Sequence, residues 1–330
     1  MKKRGRRVKR EIAQVNSHLE TVTTVAIVTH ERPDGDAVGS LIALAILLEK
    51  AGKQVTPVLI DGVPARFRFL PGYERVQKGF PTECESLIVV DCSEVERIGF
   101  DAKSLPRNVD LNIDHHPTNT HFGVINVVVP EAAATTEILF DLSSPLGLEI
   151  DVEVATSFLT GLVTDTIGFR TSNVTPKVLK MAARLIELGA PLTEVYKRSL
   201  NQRSFVAARY WGRGLSNLEQ GEGLVWSSLG LDDREQVGYP GRDDADLINL
   251  LSTIDGTEVS LVFVEQHGGK VKVSWRSHGA VNVAEIATEF GGGGHDKAAG
   301  AVISGDLEPV RSKVLAFTKA SIQVNPELVK

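Results

Sequence analysis

With 330 residues, 42% of them hydrophobic, the chain has enough apolar material for two cores, and its net charge of −6 argues against a protein that coats nucleic acid non-specifically. The two cysteines, Cys84 and Cys92, build neither a disulfide framework nor a zinc motif and read as free thiols of a reducing cytoplasm. No apolar run is long enough to span a bilayer, and the basic stretch Met1–Arg10 is followed by no signal-peptide core. It reads as a solvated arm that could help attract an anionic substrate.

From Thr24 onward, short β-branched runs alternate with helical periodicity, the pattern of a parallel α/β sheet. Strands are expected near residues 25–29, 55–60, 87–90, 109–113 and 124–128, and helices near 37–51, 133–142, 152–164 and 176–188. Residues 191–218, rich in helix formers and charge, suit a connecting helix. The break at Gln220-Gly221-Glu222-Gly223 marks the start of a second domain. There, strands are expected near 224–229, 258–265 and 270–276, and helices near 244–254, 283–290 and 307–320.

The chemistry gathers where expected strands end. His30-Glu31-Arg32-Pro33-Asp34-Gly35-Asp36 lies on a strand-to-helix turn, where Pro33 and Gly35 permit a tight reversal and His30, Asp34 and Asp36 can converge. The buried-looking run 86–90 ends at Asp91, the run 109–113 ends at Asp114-His115-His116, and the apolar segment 156–163 ends at Asp165. Any one of these aspartates could cap a helix or close a turn, Asp36 included. Four such sites with histidines among them point instead to a metal centre, and oxygen and imidazole donors without thiolate suit Mn²⁺ or a similar divalent ion.

A second signal is Gly291-Gly292-Gly293-Gly294-His295-Asp296-Lys297, placed between a helical pattern and a short apolar strand. Missing side chains let backbone N–H groups approach an anion. His295, Lys297 and the upstream Arg276 favour that reading over a flexible loop, while the spacing fits neither a dinucleotide fingerprint nor a P-loop. Arg170, close behind Asp165, either neutralises a substrate phosphate or is solvated, and Arg203 in the connecting segment has a weaker claim to substrate. His18, His121, His267 and His278 read as surface residues, Trp211, Trp226 and Trp275 as packing, and Cys92 as a buried thiol.

Taken together these motifs resemble, in order and over residues 24–303, the DHH/DHHA1 phosphoesterase family, and within it the stand-alone branch of nanoRNase/pAp phosphatases. The resemblance implies an α/β fold: a basic arm and lead-in (1–23), a parallel-sheet DHH catalytic domain (24–190), a helical linker (191–220) and a smaller α/β DHHA1 substrate-binding domain (221–330), with the active site in the cleft between the domains. It implies two Mn²⁺ ions, with other divalent ions able to substitute. One would be held by His30, Asp34 and Asp91, the other by Asp36, Asp91, His115 and Asp165, with Asp91 bridging. Asp114 would orient an imidazole, His116 would face the phosphate or the nucleophile, and Arg170, Arg276, Gly292, Gly293, Gly294 and His295 would bind substrate. Two such cations clamp the attacking and leaving oxygens of a phosphoryl transfer, so hydrolysis without a covalent intermediate is expected. The implied substrates are short oligoribonucleotides and 3′-phosphoadenosine 5′-phosphate (pAp), with cyclic di-AMP or its linear product as the alternative. A nucleotide sensor lacking catalysis would be expected to have lost ligands, and none is missing. A homodimer would rest on family analogy alone.

Overall fold

A computed structural model describes residues 2–323, and within them the chain divides into two compact units, one through Gln202 and one from Arg203 onward. The first unit begins with helix α1 (Lys2–Thr21), followed by β1 (Thr24–Val28), α2 (Gly35–Lys50), β2 (Gln54–Val58), β3 (Ser86–Val90), β4 (Leu111–Asp114) and β5 (Ile125–Val128). Helices α3 (Thr135–Ser143), α4 (Val152–Asp165), α5 (Pro176–Glu187) and α6 (Leu192–Tyr196) complete it.

All five strands run parallel in the order β2-β1-β3-β4-β5. Because successive side chains point to opposite faces, Val25, Ile27, Ile88 and Val90 join the core beneath α2 and α4, while Ala26, Val28, Leu87 and Val89 join a second cluster with Cys92, Ile98 and Val109. A parallel sheet covered on both faces needs such unbroken apolar strands. Helix α2 is buried from Gly35 through Leu48, which accounts for its apolar residues all round. It crosses α4 at very close range, where a Cβ on Gly39 would lie 2.5 Å from the Ser157 carbonyl oxygen.

The second unit contains α7 (Phe205–Ser216), β6 (Leu218–Gly221), β7 (Leu224–Leu229), α8 (Leu231–Val237), α9 (Leu247–Leu251), β8 (Val259–Gln266), β9 (Lys270–Ser277), α10 (Val283–Glu289), β10 (Gly293–His295), β11 (Ala298–Ser304) and α11 (Leu307–Gln323). Its mixed sheet has the order β10-β11-β9-β8-β7-β6, with β7 and β8 parallel and the remaining pairs antiparallel. Trp275, Val283, Ile286, Val310 and Val314 pack on one face, and Tyr210, Val237, Leu247, Leu251 and Val262 on the other.

Several expectations are corrected. The basic arm is the first half of α1, whose later residues Val15 and Leu19 are buried against the first core. Attraction of an anion by the side chains of Met1–Arg10 lies outside the described residues. The connecting segment 191–218 is two helices rather than one: α6 passes into a π-helical turn, Lys197–Asn201, and after a break Ser204 caps α7 by accepting the Ala207 N–H at 3.1 Å. Glu222-Gly223 is a two-residue hairpin turn between β6 and β7, with φ of 52° and 78°, so the glycines taken as a domain start lie inside a sheet. The expected helix 244–254 shortens to α9 because Ala245 and Asp246 adopt left-handed backbone, with φ of 52° and 65°. His18 is not a free surface residue, since its Nε2 lies 2.8 Å from the Ser86 hydroxyl.

Candidate metal centre

In the first sheet, β1 has β2 on one side and β3 on the other, so the connections leave in opposite directions. The crevice at the carboxyl ends of β1 and β3 is where an open α/β sheet places its ligand. His30 and Asp34 leave β1, Asp91 leaves β3, and Asp114, His115 and His116 end β4.

The eight residues expected at the metals and the nucleophile meet here. Donor atoms of His30, Asp34 and Asp91 all lie within 4.8 Å of one another, and so do those of Asp36, His115 and Asp165. Asp91 stands between the two groups, with Oδ2 at 3.7 Å from His30 Nε2 and Oδ1 at 3.7 Å from His115 Nε2. His115 Nε2 is also 3.4 Å from an Asp165 carboxylate oxygen. Asp91 holds this position with φ of 53°, a left-handed conformation that for a residue other than glycine costs about 1–3 kcal/mol and is common at functional sites.

Backbone contacts select the imidazole faces. Nδ1 of His30 lies 2.7 Å from the Glu31 carbonyl oxygen and Nδ1 of His115 lies 3.2 Å from that of Ala132. Donation at these atoms leaves Nε2 of each ring as the basic nitrogen toward Asp91, the arrangement metal-ligating histidines use. Asp114 is fully buried and serves His116 rather than a ligating ring: its Oδ1 lies 2.7 Å from His116 Nδ1 and accepts the His115 backbone N–H at 2.8 Å. Its other oxygen accepts from the Asn119 amide at 2.6 Å, and Asn119 is itself held by the Asn112 side chain at 2.8 Å.

The two aspartates of the first loop face different helices. Asp34 caps α2 by accepting the Asp36 and Ala37 N–H groups, both at 3.0 Å. Asp36 does not cap that helix. Its carboxylate closes α3, accepting the backbone N–H groups of Thr135 at 2.5 Å and Thr136 at 3.1 Å and the Thr136 hydroxyl at 2.8 Å. The Thr135 hydroxyl donates to Asp91 at 2.9 Å. Thr135, Thr136, Asn112 and Asn119 are the site residues that sequence reasoning missed. The tripeptide Ala132-Ala133-Ala134 ahead of α3 offers no side-chain cap, and that gap was the available signal.

Burial and charge crowding shift the acids and imidazoles of the centre in opposite directions. Burial, followed by the charges of Asp91 and Asp165, pushes Asp36 well above the usual carboxylate range, and burial pushes Asp165 up to about 7. Burial would raise Asp91 too, but the His30 hydrogen bond and the neighbouring imidazoles hold it far below that range. His115 is raised to about 9 because Asp165, Asp91 and Asp36 outweigh its own burial. Buried acids this close require compensating positive charge. Hard oxygen donors and imidazole nitrogens, with no thiolate among them, fit divalent cations. Cys92 stays out of the chemistry: it is fully buried and burial pushes its thiol up to about 12.

Arg170 is exposed, in a loop where Ile167, Gly168 and Phe169 all have positive φ. Arg203 pairs with Asp246 at 3.0 Å within the second unit. Register places Ser260, Arg276, Ala298 and His295 side by side on one face at the end of the second sheet, with Ser274, Gly300 and Gly293 in the next row. Small residues between Arg276 and His295 leave a flat shelf, and a Cβ on Gly293 would meet nothing within 4 Å. Gly294, at φ of 143°, could not be replaced without strain, because a Cβ there would sit 2.4 Å from the Ala298 carbonyl oxygen. Arg276 is fixed by Nε donating to Asn249 Oδ1 at 3.2 Å and Nη1 to the Trp275 carbonyl oxygen at 3.0 Å.

A centre of this kind at a sheet's switch point defines a metal-dependent hydrolase. The chain matches the DHH family, N-terminal domain, over residues 24–162 and the DHHA1 domain over residues 236–323. It is 39% identical over 305 residues to the bifunctional oligoribonuclease and PAP phosphatase NrnA of Thermus thermophilus, covering 90% of each chain. To the protein of the same name from Bacillus subtilis it is 26% identical over 285 residues, covering 85% of this chain and 89% of the other. Among solved structures, an exopolyphosphatase-related protein from Bacteroides fragilis is similar with a TM-score of 0.86 at 26% identity, covering 94% of this chain and 96% of that one. The chain belongs to the DHH/DHHA1 phosphoesterase family.

Proposed function

We propose that the protein is a Mn²⁺-dependent phosphoesterase that hydrolyses short oligoribonucleotides to mononucleotides and pAp to AMP. The observation that carries this reading is the convergence of two acid–imidazole groups on Asp91, supported by relatives whose names state both activities. One ion is assigned to His30, Asp34 and Asp91 and the second to Asp36, Asp91, His115 and Asp165. When bound, the ion pair supplies Lewis acidity at the phosphate and a lowered pKa for the attacking water.

The chain's own groups do the rest. Asp114 fixes the His116 ring through Nδ1, so that Nε2 is the atom that exchanges a proton with the nucleophile or the leaving group. Asp91 is kept ionised by its imidazole neighbours and holds its position between the two ligand groups. Arg170 is assigned to charge neutralisation at the substrate. In the second unit, the shelf formed by Arg276, His295 and Gly292-Gly293-Gly294 suits a terminal phosphate and its nucleoside, with the guanidinium fork matching phosphate oxygens. Among the described residues no helix is long and apolar enough to cross a membrane. We place the enzyme in the cytoplasm, where both free thiols stay reduced.

The test compares kcat/KM for pAp, RNAs of two to five nucleotides and cyclic di-AMP under identical Mn²⁺ conditions, with Asp91→Ala as the control. Mononucleotide release from short RNA and AMP release from pAp are expected, each lost in the variant. Preference for cyclic di-AMP, or wild-type turnover by Asp91→Ala, would overturn the assignment.

A further inference from the structure

The geometry points to Arg97 as a phosphate-binding residue on the His30 side of the metal centre. It rests on the phosphoesterase reading above. Arg97 lies in a 3-10 helix, Val95–Ile98, reached six residues after Asp91 and ended by Gly99 at φ of 80°. The backbone there is tied to the metal loop, because the Glu31 N–H donates to the Arg97 carbonyl oxygen at 2.7 Å. Packing reinforces the tie: a Cβ on Gly99 would touch Cβ of Glu31 at 3.0 Å.

The guanidinium points back toward the strand end. Its Nη1 reaches the hydroxyl of Ser93, a buried residue two positions after Asp91, at 3.5 Å. Three carboxylates are at hand by sequence or packing, those of Glu31, Glu94 and Glu96, and Arg97 forms an ion pair with none of them among the described residues. A half-buried guanidinium with no carboxylate partner keeps its fork available to an incoming anion. The charge balance at the centre says what that anion is. Four carboxylates, from Asp34, Asp36, Asp91 and Asp165, would be neutralised by two divalent cations, which would leave the charge of a bound phosphate to be met by the protein. Arg97 is tied to the ligand loop by a backbone hydrogen bond and, unlike the exposed Arg32 within that loop, is half-buried, and its planar fork suits two phosphate oxygens.

The experiment uses full-length protein saturated with Mn²⁺ and two substitutions, Arg97→Gln and Arg97→Lys. Three quantities are read: steady-state constants for pAp hydrolysis, AMP affinity by calorimetry and the Mn²⁺ concentration giving half-maximal activity. A phosphate contact predicts that Arg97→Gln weakens AMP binding and lowers kcat/KM at least tenfold, that Arg97→Lys recovers part of both, and that the Mn²⁺ requirement stays within twofold of wild type. AMP affinity within twofold of wild type in Arg97→Gln would overturn the inference. So would a loss that higher Mn²⁺ restores, since Arg97 would then support the ligand loop instead. Wild-type protein that hydrolyses none of the phosphate substrates would overturn the underlying reading, a result distinguishable because it precedes any variant.

Discussion

Replacing Gly161 with alanine adds one methyl group at the crossing of α2 and α4, and it should disable the metal centre while leaving the protein folded. The new Cβ would lie 2.5 Å from Asp36 Oδ1, 2.5 Å from Thr136 Cγ2 and 2.7 Å from Thr136 Oγ1. Comfortable contact needs about 3.5 Å, so carboxylate and methyl must separate by about 1 Å. Asp36 has little freedom to retreat, being held by two backbone N–H groups and a hydroxyl at the start of α3. At an exposed helical site the exchange would stabilise by about 1 kcal/mol through helix propensity. Here overpacking, roughly 1–3 kcal/mol, opposes and exceeds it. A shift of this size in a ligating carboxylate is expected to lower kcat/KM about 100-fold, or about 2.7 kcal/mol of transition-state stabilisation. The assay pairs pAp hydrolysis over a Mn²⁺ titration with thermal unfolding. Wild-type kcat/KM together with a raised Tm would refute the reasoning, because propensity would then have prevailed and the close approach would carry no consequence.

Asp91→Asn keeps a side chain that tolerates left-handed backbone but removes the carboxylate charge proposed to bridge the two ions. Activity should fall by about 10³-fold or more with near-native circular dichroism, and an active variant would remove Asp91 from the centre. Asn119→Ala takes away the amide that serves Asp114 at 2.6 Å and Asn112 at 2.8 Å, leaving buried acceptors unmet. A destabilisation of about 1–3 kcal/mol is expected in denaturant titration, and a loss under about 0.5 kcal/mol would contradict the network. Cys92, buried and with its thiol pushed up to about 12, should resist a disulfide reagent at pH 8 in the native protein, whereas the more exposed Cys84 should react. Both should react after unfolding, and two fast native thiols would show that the sheet face over Cys92 opens readily.

The convergence of acids and imidazoles was legible because three of the clusters follow a strand whose apolar run is unmistakable, and the carboxyl end of a parallel strand is where chemistry sits, while Asp165 instead ends helix α4. His30, Asp91 and His115 announce themselves by type and place. Thr135 and Thr136 do not, since their contribution to Asp36 comes mostly from backbone N–H groups 99 and 100 residues away in sequence. Local pattern also misjudged the middle of the chain. Helix formers on both sides of Gln202-Arg203-Ser204 concealed a break that the capping serine marks, and β6 escaped notice because an exposed, polar edge strand has no alternation to detect. The glycine run was read as backbone that can approach an anion, and the strand in it was missed: its last two glycines and His295 form an edge strand whose register sets His295 in line with Arg276.

The Asp36 carboxylate serves two masters, the first turn of α3 and the proposed ions, and this ties folding to chemistry through a single side chain. A descendant that gave up hydrolysis by discarding Asp36 would also uncap a buried helix, whereas Asp165, at the end of α4, accepts no such capping N–H among the described residues. Loss of catalysis in this scaffold should therefore begin at the far end of α4, with the loop after β1 the last part of the centre to drift.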